Sequence, residues 1–414
     1  MVLNIGSRFD VAVIGGGPIG SYSALRLSKA GFSVAIIEEH PEVGHPEQCA
    51  GLVNRTMFDL PYLDQALNKV RLHDITGANI YSPSGKNLAL RAGKVKAVSI
   101  DRSGFDKLLF KKAVSSGAEP FLSTKAIKME RTPDEDHIIK TKGMFGTGAL
   151  KANFVLGCDG VSSMVRKSLG LEKPQDVIPG VSIRIETDDG IVPQDIVGVF
   201  TGKDTAKGFF AWSVPSGTTT SMRIGLAAVD GGSLRSGWSN LMKDPRLGEW
   251  LGMENGMMPN LSRLSFNIGP VPMGSPRTII SGKAIILGDS AGMAKPTSGG
   301  GIYPGLMAVD ELAMSVEKVG ELSLTALEEF RGSWLNGYGK ELSRSRFFRK
   351  LIRQVEDREV EEVVERFSDP ELLDIINRDG DIDHPLRLAL LLIRKDPTLL
   401  KMIPRFLPHM RNLV

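Results

Sequence analysis

Three observations predict a mixed α/β fold, with a nucleotide-binding part, an antiparallel-sheet part and a helical end. Phe9 to Glu38 runs as apolar strand, glycine triplet, helix, second apolar strand and acid. A buried-looking strand followed by a glycine-rich turn returns at Gly288. Between them, from about Val177, apolar and polar residues alternate almost without a break, as half-buried strands do. The expected architecture is a Rossmann-like domain over 1–76, 98–176 and 277–322. A discontinuous antiparallel-sheet domain takes 77–97 and 177–276, and a helical region takes 323–414.

The first unit carries the most information. Gly15, Gly17 and Gly20 follow the run Val11 to Ile14, with Pro18 and Ile19 inside the triplet. Gly15 permits the turn off the strand, Gly17 lets backbone approach a pyrophosphate, and Gly20 lets the helix pack on the strands. Glu38 lies 18 residues beyond Gly20, at the end of the second strand, where a carboxylate can accept both ribose hydroxyls. A dinucleotide site is the expectation. The other reading is a glycine-rich strand–helix junction that binds nothing.

Composition sets outer bounds. The chain has 414 residues, 42% hydrophobic and 24% charged, which suits two or three structural units of a globular protein. A net charge of +3 is too small to argue for nucleic acid. Cys49 and Cys158 form no disulfide framework and no metal-spaced set, which fits a reducing cytoplasm. The chain enters a strand within ten residues, leaving no room for a signal peptide. No apolar run reaches the ~18 residues needed to span a bilayer. A cytoplasmic protein, or one attached to the inner membrane surface, is expected.

After Glu38 comes a turn-rich loop with Pro41, Gly44, Pro46 and Cys49, placed to reach across the bound molecule. A surface loop with an incidental thiol is the alternative. A short helix is expected near Asn54 and a strand over Ala78 to Ser82. Arg102 precedes a helix with Phe105, Leu108, Leu109 and Ala113 on one face, for which Ser103 is the expected cap. Its guanidinium can meet phosphate oxygens, or simply solvent. Strand-like pieces follow over Glu119–Leu122, Ala126–Arg131, His137–Thr141 and Phe154–Cys158. The last delivers Asp159-Gly160 and a helix capped by Ser162 or Ser163. Trp238 to Leu251 is expected as one or two short helices. Beyond Asp289, the turn Pro296 to Gly301 leads into a helix with Leu306, Val309, Leu312, Ala313 and Val316 along one side. The final stretch from His384 is apolar and cationic, with six Lys/Arg against one Asp. It can lie on an anionic membrane surface or pack on the domain core, and Pro397, Pro404 and Pro408, which break any long amphipathic helix, favour the latter.

In this order, the GGGPIG turn with Glu38, Arg102, the Asp159-Gly160 motif and the Gly288-Asp289 motif resemble FAD-dependent enzymes built like p-hydroxybenzoate hydroxylase. The resemblance touches most of residues 9 to 320 and implies FAD as the dinucleotide. A closer likeness is to the geranylgeranyl reductases of archaeal type. It rests on Pro46-x-x-Cys49-Ala50-Gly51-Leu52, Arg102-x-x-Phe105-Asp106 and Pro296-x-x-Gly299-Gly300-Gly301-Ile302. A Tyr-x-Trp-x-Phe-Pro segment of that family reads Phe210-Ala211-Trp212-Ser213-Val214-Pro215 here. Trp212 and Pro215 match; Phe210 and Val214 depart, and Cys49-Ala50-Gly51-Leu52 is shorter than the Cys-Gly-Glu-Gly-Leu of some members. These departures touch the substrate and leave the flavin motifs whole.

The likeness implies an enzyme, an FAD-dependent reductase that saturates double bonds of prenyl chains in archaeal-type membrane lipids. It implies cofactor contacts from Gly15, Gly17, Pro18, Ile19, Gly20, Glu38, Glu39, Cys49, Ala50, Arg102, Ala126, Asp159, Gly160, Gly288, Asp289, Pro296 and Gly299 to Ile302. An apolar wall of Phe210, Trp212, Val214 and Pro215 would face a prenylated lipid, and Cys49 is the candidate proton donor. The donor of electrons is external: ferredoxin, a deazaflavin or NADPH. Two rival functions share the motifs, an FAD-dependent aromatic monooxygenase and a quinone-linked electron-transfer flavoprotein. The second would need a cluster partner, since this chain has only two cysteines.

Overall fold

The computed structural model describes residues 7–47, 49–63, 68–144, 146–187, 193–217, 220–251, 261–381 and 385–399. Its centre is a sheet in which Ala284–Ile286, Gly146–Gly157, Arg8–Ile14, Val34–Ile37 and Glu119–Phe121 lie side by side and parallel. Val11, Ala12, Val13, Ala35 and Ile36 are fully buried in one core cluster with residues of helices Pro18–Lys29, Arg102–Ser115 and Ile302–Val319 and of the antiparallel strands. Helix Pro18–Lys29 crosses over one face, started by a proline at its first position, where the missing N–H costs nothing. Strands Thr124–Arg131 and His137–Gly143 extend the sheet antiparallel from Gly146–Gly157.

The alternating stretches form a second, seven-stranded sheet. Its order is Leu261–Met273, Asp176–Thr187, Ser221–Ala227, Ala211–Pro215, Ile196–Phe200, Gly77–Tyr81 and Asn87–Arg91. Side chains alternate between its faces. Ile183, Ile185, Ala211, Ile224 and Leu226 pack beneath helices Gly231–Leu241 and Pro245–Trp250 through Leu241, Leu247 and Trp250. On the other face, Trp212 pairs with Gly225 and Val214 with Arg223. This face carries the candidate site.

The mixed α/β architecture is as expected, with three local differences. The helix Arg102–Ser115 is capped by Asp101, whose carboxylate accepts from Gly104 N at 3.0 Å, and Ser103 lies inside its first turn. The short helix after Asn54 is a 3-10 turn, Arg55–Asp59. A third sheet of Leu52–Asn54, Ala97–Ile100 and Arg71–Ile75 was not foreseen. Its strands are three to five residues long, and Arg-Leu-His-Asp-Ile shows no alternation to detect.

Past residue 323 the chain is helical, as expected. Helix Leu324–Asn336 sends Leu327, Phe330 and Trp334 into the core cluster that contains the parallel strands. Farther on, Glu361 accepts from Ser82 Oγ, Ser84 N and Ser84 Oγ, which fastens helix Asp357–Phe367 to the large sheet's hairpin. Helix Pro385–Lys395 packs through Leu392 on Leu372 of helix Pro370–Asp379, while Leu390 stays exposed. Residues 400–414, the rest of the cationic stretch, fall outside the described residues. Because Phe330 is fully buried in the shared core, Phe330→Ala should cost about 3–5 kcal/mol and leave urea unfolding of residues before and after 323 coincident. Two separate transitions, with only one shifted, would contradict a shared core.

Candidate cofactor and reaction site

At the first glycine turn, Gly15 has φ +101°, and a Cβ there would lie 2.3 Å from the Cys158 carbonyl oxygen. The turn off the strand thus requires glycine both for its torsion and for its neighbour. A Cβ on Gly17 would meet nothing within 4 Å, so its backbone stands open beside the start of the helix. Pro18 opens that helix and Ile19 is buried beneath it. Glu38 is buried at the end of its strand. One oxygen accepts from Gly16 N at 2.7 Å, and the other from His40 N at 2.9 Å and His40 Nδ1 at 2.6 Å. A carboxylate has about four acceptor positions, so three protein donors leave room for about one ribose hydroxyl. The expected bidentate grip needs His40 to give way, and His40 is a site residue that the sequence pattern did not indicate. Glu39 is exposed and bridged to Lys125 at 2.6 Å; Ala126 follows on a strand whose first residue bonds Glu38 O.

The middle of the site joins residues far apart in sequence. Arg102 Nη2 donates to both oxygens of Asp106, at 2.9 and 2.7 Å, and its guanidinium also contacts Cys49. Burial opposes the charge on Arg102, but Asp106 and Cys49 outweigh it and hold the group above its ordinary pKa. Gly51 N donates to Cys49 Sγ at 3.4 Å. Asp159 Oδ2 accepts from Met164 N at 2.6 Å and Val165 N at 3.1 Å, with Gly160 in a left-handed conformation beside it. Ser163 caps the short helix that follows, as expected. Burial pushes the Cys158 thiol up to about 12, which removes it as an acid near neutral pH.

Asp289 lies within the electrostatic reach of Arg102, and its Oδ1 sits 3.0 Å from where a Gly301 Cβ would be. The residue is exposed, yet burial pushes its carboxyl up to about 6. Both are met when a carboxylate lies deep in an open cleft. Gly288 precedes it with positive φ, packed on Ile19. The turn continues through buried Pro296 and half-buried Gly299 to Gly301, the N-cap of helix Ile302–Val319, which no side chain caps. Its first N–H groups and positive dipole end therefore remain available.

The far end meets the large sheet. A Cβ on Gly299 would lie 3.2 Å from Val271 and 3.3 Å from Phe209. Phe210 stacks on Phe209 at 4.3 Å and meets Trp212 edge-on at 6.1 Å. Trp212 joins two apolar clusters, one with Phe209, Val271 and Ala294, the other with Ala50, Leu52 and buried Val214. Pro215 is buried and its carbonyl accepts from Ser99 Oγ at 2.5 Å. The sheet face is not wholly apolar. Arg223, only 2% exposed, bonds Glu47 at 2.7 Å, two residues before Cys49. This buried ion pair was not foreseen, since nothing local marks a strand arginine as inward-facing.

Unpartnered buried polar atoms, among the described residues, test the fit to a dinucleotide. Arg102 Nε, Asp159 Oδ1, Thr297 Oγ1 and Ser298 Oγ lack partners. Buried polar atoms in native proteins are normally satisfied. Donors and acceptors between the open Gly17 backbone and the uncapped helix suit a long ligand rich in hydroxyl and phosphate oxygens.

A family described as "FAD binding domain" matches residues 8–319. The chain belongs to that family. FAD is the dinucleotide, and the protein is an FAD-dependent oxidoreductase. Among curated relatives, the digeranylgeranylglycerophospholipid reductase of Methanocaldococcus jannaschii is 27% identical over 418 residues, covering 95% of this chain and 97% of its own. Among solved structures, a geranylgeranyl bacteriochlorophyll reductase-like protein of Thermoplasma acidophilum superposes with TM-score 0.81 at 19% identity, covering 96% and 99%. The p-nitrophenol 4-monooxygenase of Pseudomonas putida gives 0.62 at 18%, covering 89% and 99%. These two likenesses establish the fold. The resemblance to geranylgeranyl reductases, drawn from the Pro46, Arg102 and Pro296 motifs, is borne out by the named relatives.

Asp289 makes the site's electrostatics measurable. Its carboxyl holds a proton more tightly in the folded chain than in the unfolded one, so its contribution to stability falls as pH rises from about 4 to about 6. In the cofactor-free protein, Asp289→Asn should raise Tm above wild type at pH near 7.5, and the gap should narrow as pH falls through about 6 and close near pH 4. A gap independent of pH would mean that Asp289 titrates normally.

Proposed function

We propose that this chain reduces carbon–carbon double bonds in the prenyl chains of an archaeal-type membrane lipid. The observation that carries the reading is the seam at Trp212. There Ala50, the residue after Cys49, and Ala294, two residues before Pro296, pack against the aromatic sheet face. The name of the Methanocaldococcus jannaschii relative supports the same substrate class. An isoprenoid chain gains about 0.8 kcal/mol for each methylene it buries, so an apolar seam supplies affinity without polar recognition.

In this reading, residues 1–76, 98–176 and 277–322 hold FAD, and 77–97 with 177–276 cover its reacting end. Gly15, Gly17, Gly20 and Glu38 anchor the adenosine half. Arg102, Asp159 and Asp289 serve the middle. Gly299 to Ile302 present the helix N-terminus, whose N–H groups and dipole favour negative charge developing at the reacting end. Reduced FAD, once bound, supplies a hydride equivalent to the alkene. Phe210, Trp212 and Val214 orient the chain and exclude water. Cys49 holds at Sγ the proton that completes the addition.

The test is mass spectrometry of a geranylgeranyl lipid incubated with dithionite-reduced, FAD-loaded protein. The expected product gains the mass of one H2 per double bond. Unchanged lipid, together with oxygen incorporated into a phenol under NADPH, would replace the reductase with a monooxygenase. In the same assay, Cys49→Ala should lower the rate ~100-fold or more while FAD content stays constant. A wild-type rate would move the proton source elsewhere.

A further inference from the structure

A second space lies behind the Pro296 turn. Helices Leu324–Asn336 and Tyr338–Ile352, the segment 274–282 and the turn 292–296 enclose a cavity of about 620 Å³. That volume is typical of sites for small organic ligands. Leu327, Trp334 and Leu342 give it a buried apolar wall, and Leu324 and Leu335, about half exposed, make its margin apolar too. Arg277, Arg331 and Arg346 also line it, against a single carboxylate, Glu328, which Arg331 meets at 3.3 Å.

Arg346 is the informative residue. It is partly buried, and its guanidinium donates to Gln175 Oε1, a neutral acceptor. The neighbouring carboxylate, Asp176, is held by Arg349 and Arg353. Among the described residues no carboxylate pairs with Arg346. A partly buried cation without a counter-charge is costly unless a ligand supplies one. A cavity with an apolar wall and a forked cationic donor matches an amphiphile with a phosphate head. Ala294 lines this cavity and also belongs to the apolar cluster beneath Phe210 and Trp212. Ala294 is therefore shared between the cavity lining and the packing beneath the aromatic sheet face.

We propose that the cavity binds the phosphate-bearing end of a prenyl lipid. Arg346 takes the phosphate, with Arg277 and Arg331 beside it, and the first isoprenoid units lie on Leu327, Trp334 and Leu342. The identity of the chain rests on the reductase reading above; the anionic head rests on this cavity alone.

The test is equilibrium binding to oxidised, FAD-loaded protein, read without turnover, with geranylgeranyl monophosphate, geranylgeraniol and inorganic phosphate as probes. The monophosphate should bind most tightly. Arg346→Gln should weaken it by roughly tenfold and leave geranylgeraniol unchanged, as expected for loss of a hydrogen bond to a charged group. Arg344→Gln, an exposed neighbour paired with Glu341, should change neither. If Arg346→Gln does not fold, the double variant Arg277→Gln/Arg331→Gln at the mouth carries the same expectation. Equal binding of ester and alcohol, an ester affinity indifferent to these variants, or inorganic phosphate binding as tightly as the ester would overturn the site. So would NADPH displacing the ester by binding at Arg346. Arginine-dependent ester binding with no alkene reduction would remove the reductase reading and leave the site standing.

Discussion

The structure depends on one close approach, that of Ile19 to two glycines far along the chain, Gly288 and Gly305. A Cβ on Gly288 would lie 2.9 Å from Ile19 Cγ1, and one on Gly305 would lie 2.5 Å from its Cδ1. Side chains there would hold helix Pro18–Lys29 away from helix Ile302–Val319. Without them, the two helices meet directly, and Arg26 forms ion pairs with Asp310 and with Glu317 beside the contact. Tyr22, fully buried in the same interface, has its hydroxyl pushed up to about 12 by that burial and donates to Pro61 O. Both glycine-rich turns thereby come to the same edge of the parallel sheet.

From that contact the cleft follows. Two helix N-termini and the loop ends of adjacent parallel strands line one edge, the place where open α/β sheets bind ligands. Asp289 can stand near Arg102 only because Ala284–Ile286 pairs with Gly146–Gly157, which in turn pairs with Arg8–Ile14. The large sheet then closes over the far end. The Glu47–Arg223 pair crosses that junction, tying the Cys49 loop to the strand beside Trp212. A buried pair of this kind adds little net stability, but removing one partner strands the other charge. Its structural consequence is orientation of the loop that carries Cys49.

The C-terminal helices have two attachments of different character. Phe330 and Trp334 join the main core, whereas Glu361 grips the outer hairpin by hydrogen bonds to Ser82 and Ser84. Between these attachments lies the arginine-lined cavity. Leu327 and Trp334 of Leu324–Asn336 serve both the main core and the wall of this cavity, which the segment 274–282 also lines.

Local pattern alone determined the first strand–turn–helix unit, the second glycine turn, the alternating sheet and the helical end. Each depends on periodicity or on a glycine's torsion, properties that a few consecutive residues express in full. The FAD motifs were legible for the same reason, since a phosphate-binding turn is a local backbone shape. The tertiary structure decided the remainder. Glu38 is partly occupied by Gly16 and His40, Asp101 replaces Ser103 as a cap, and short strands around Leu52–Asn54 pair into an unforeseen sheet. Arg223 and Arg346 look in sequence like any other arginine. Only packing shows that one is buried against Glu47 and the other faces a cavity in which, among the described residues, no carboxylate pairs with it, because burial and counter-charge come from residues far along the chain.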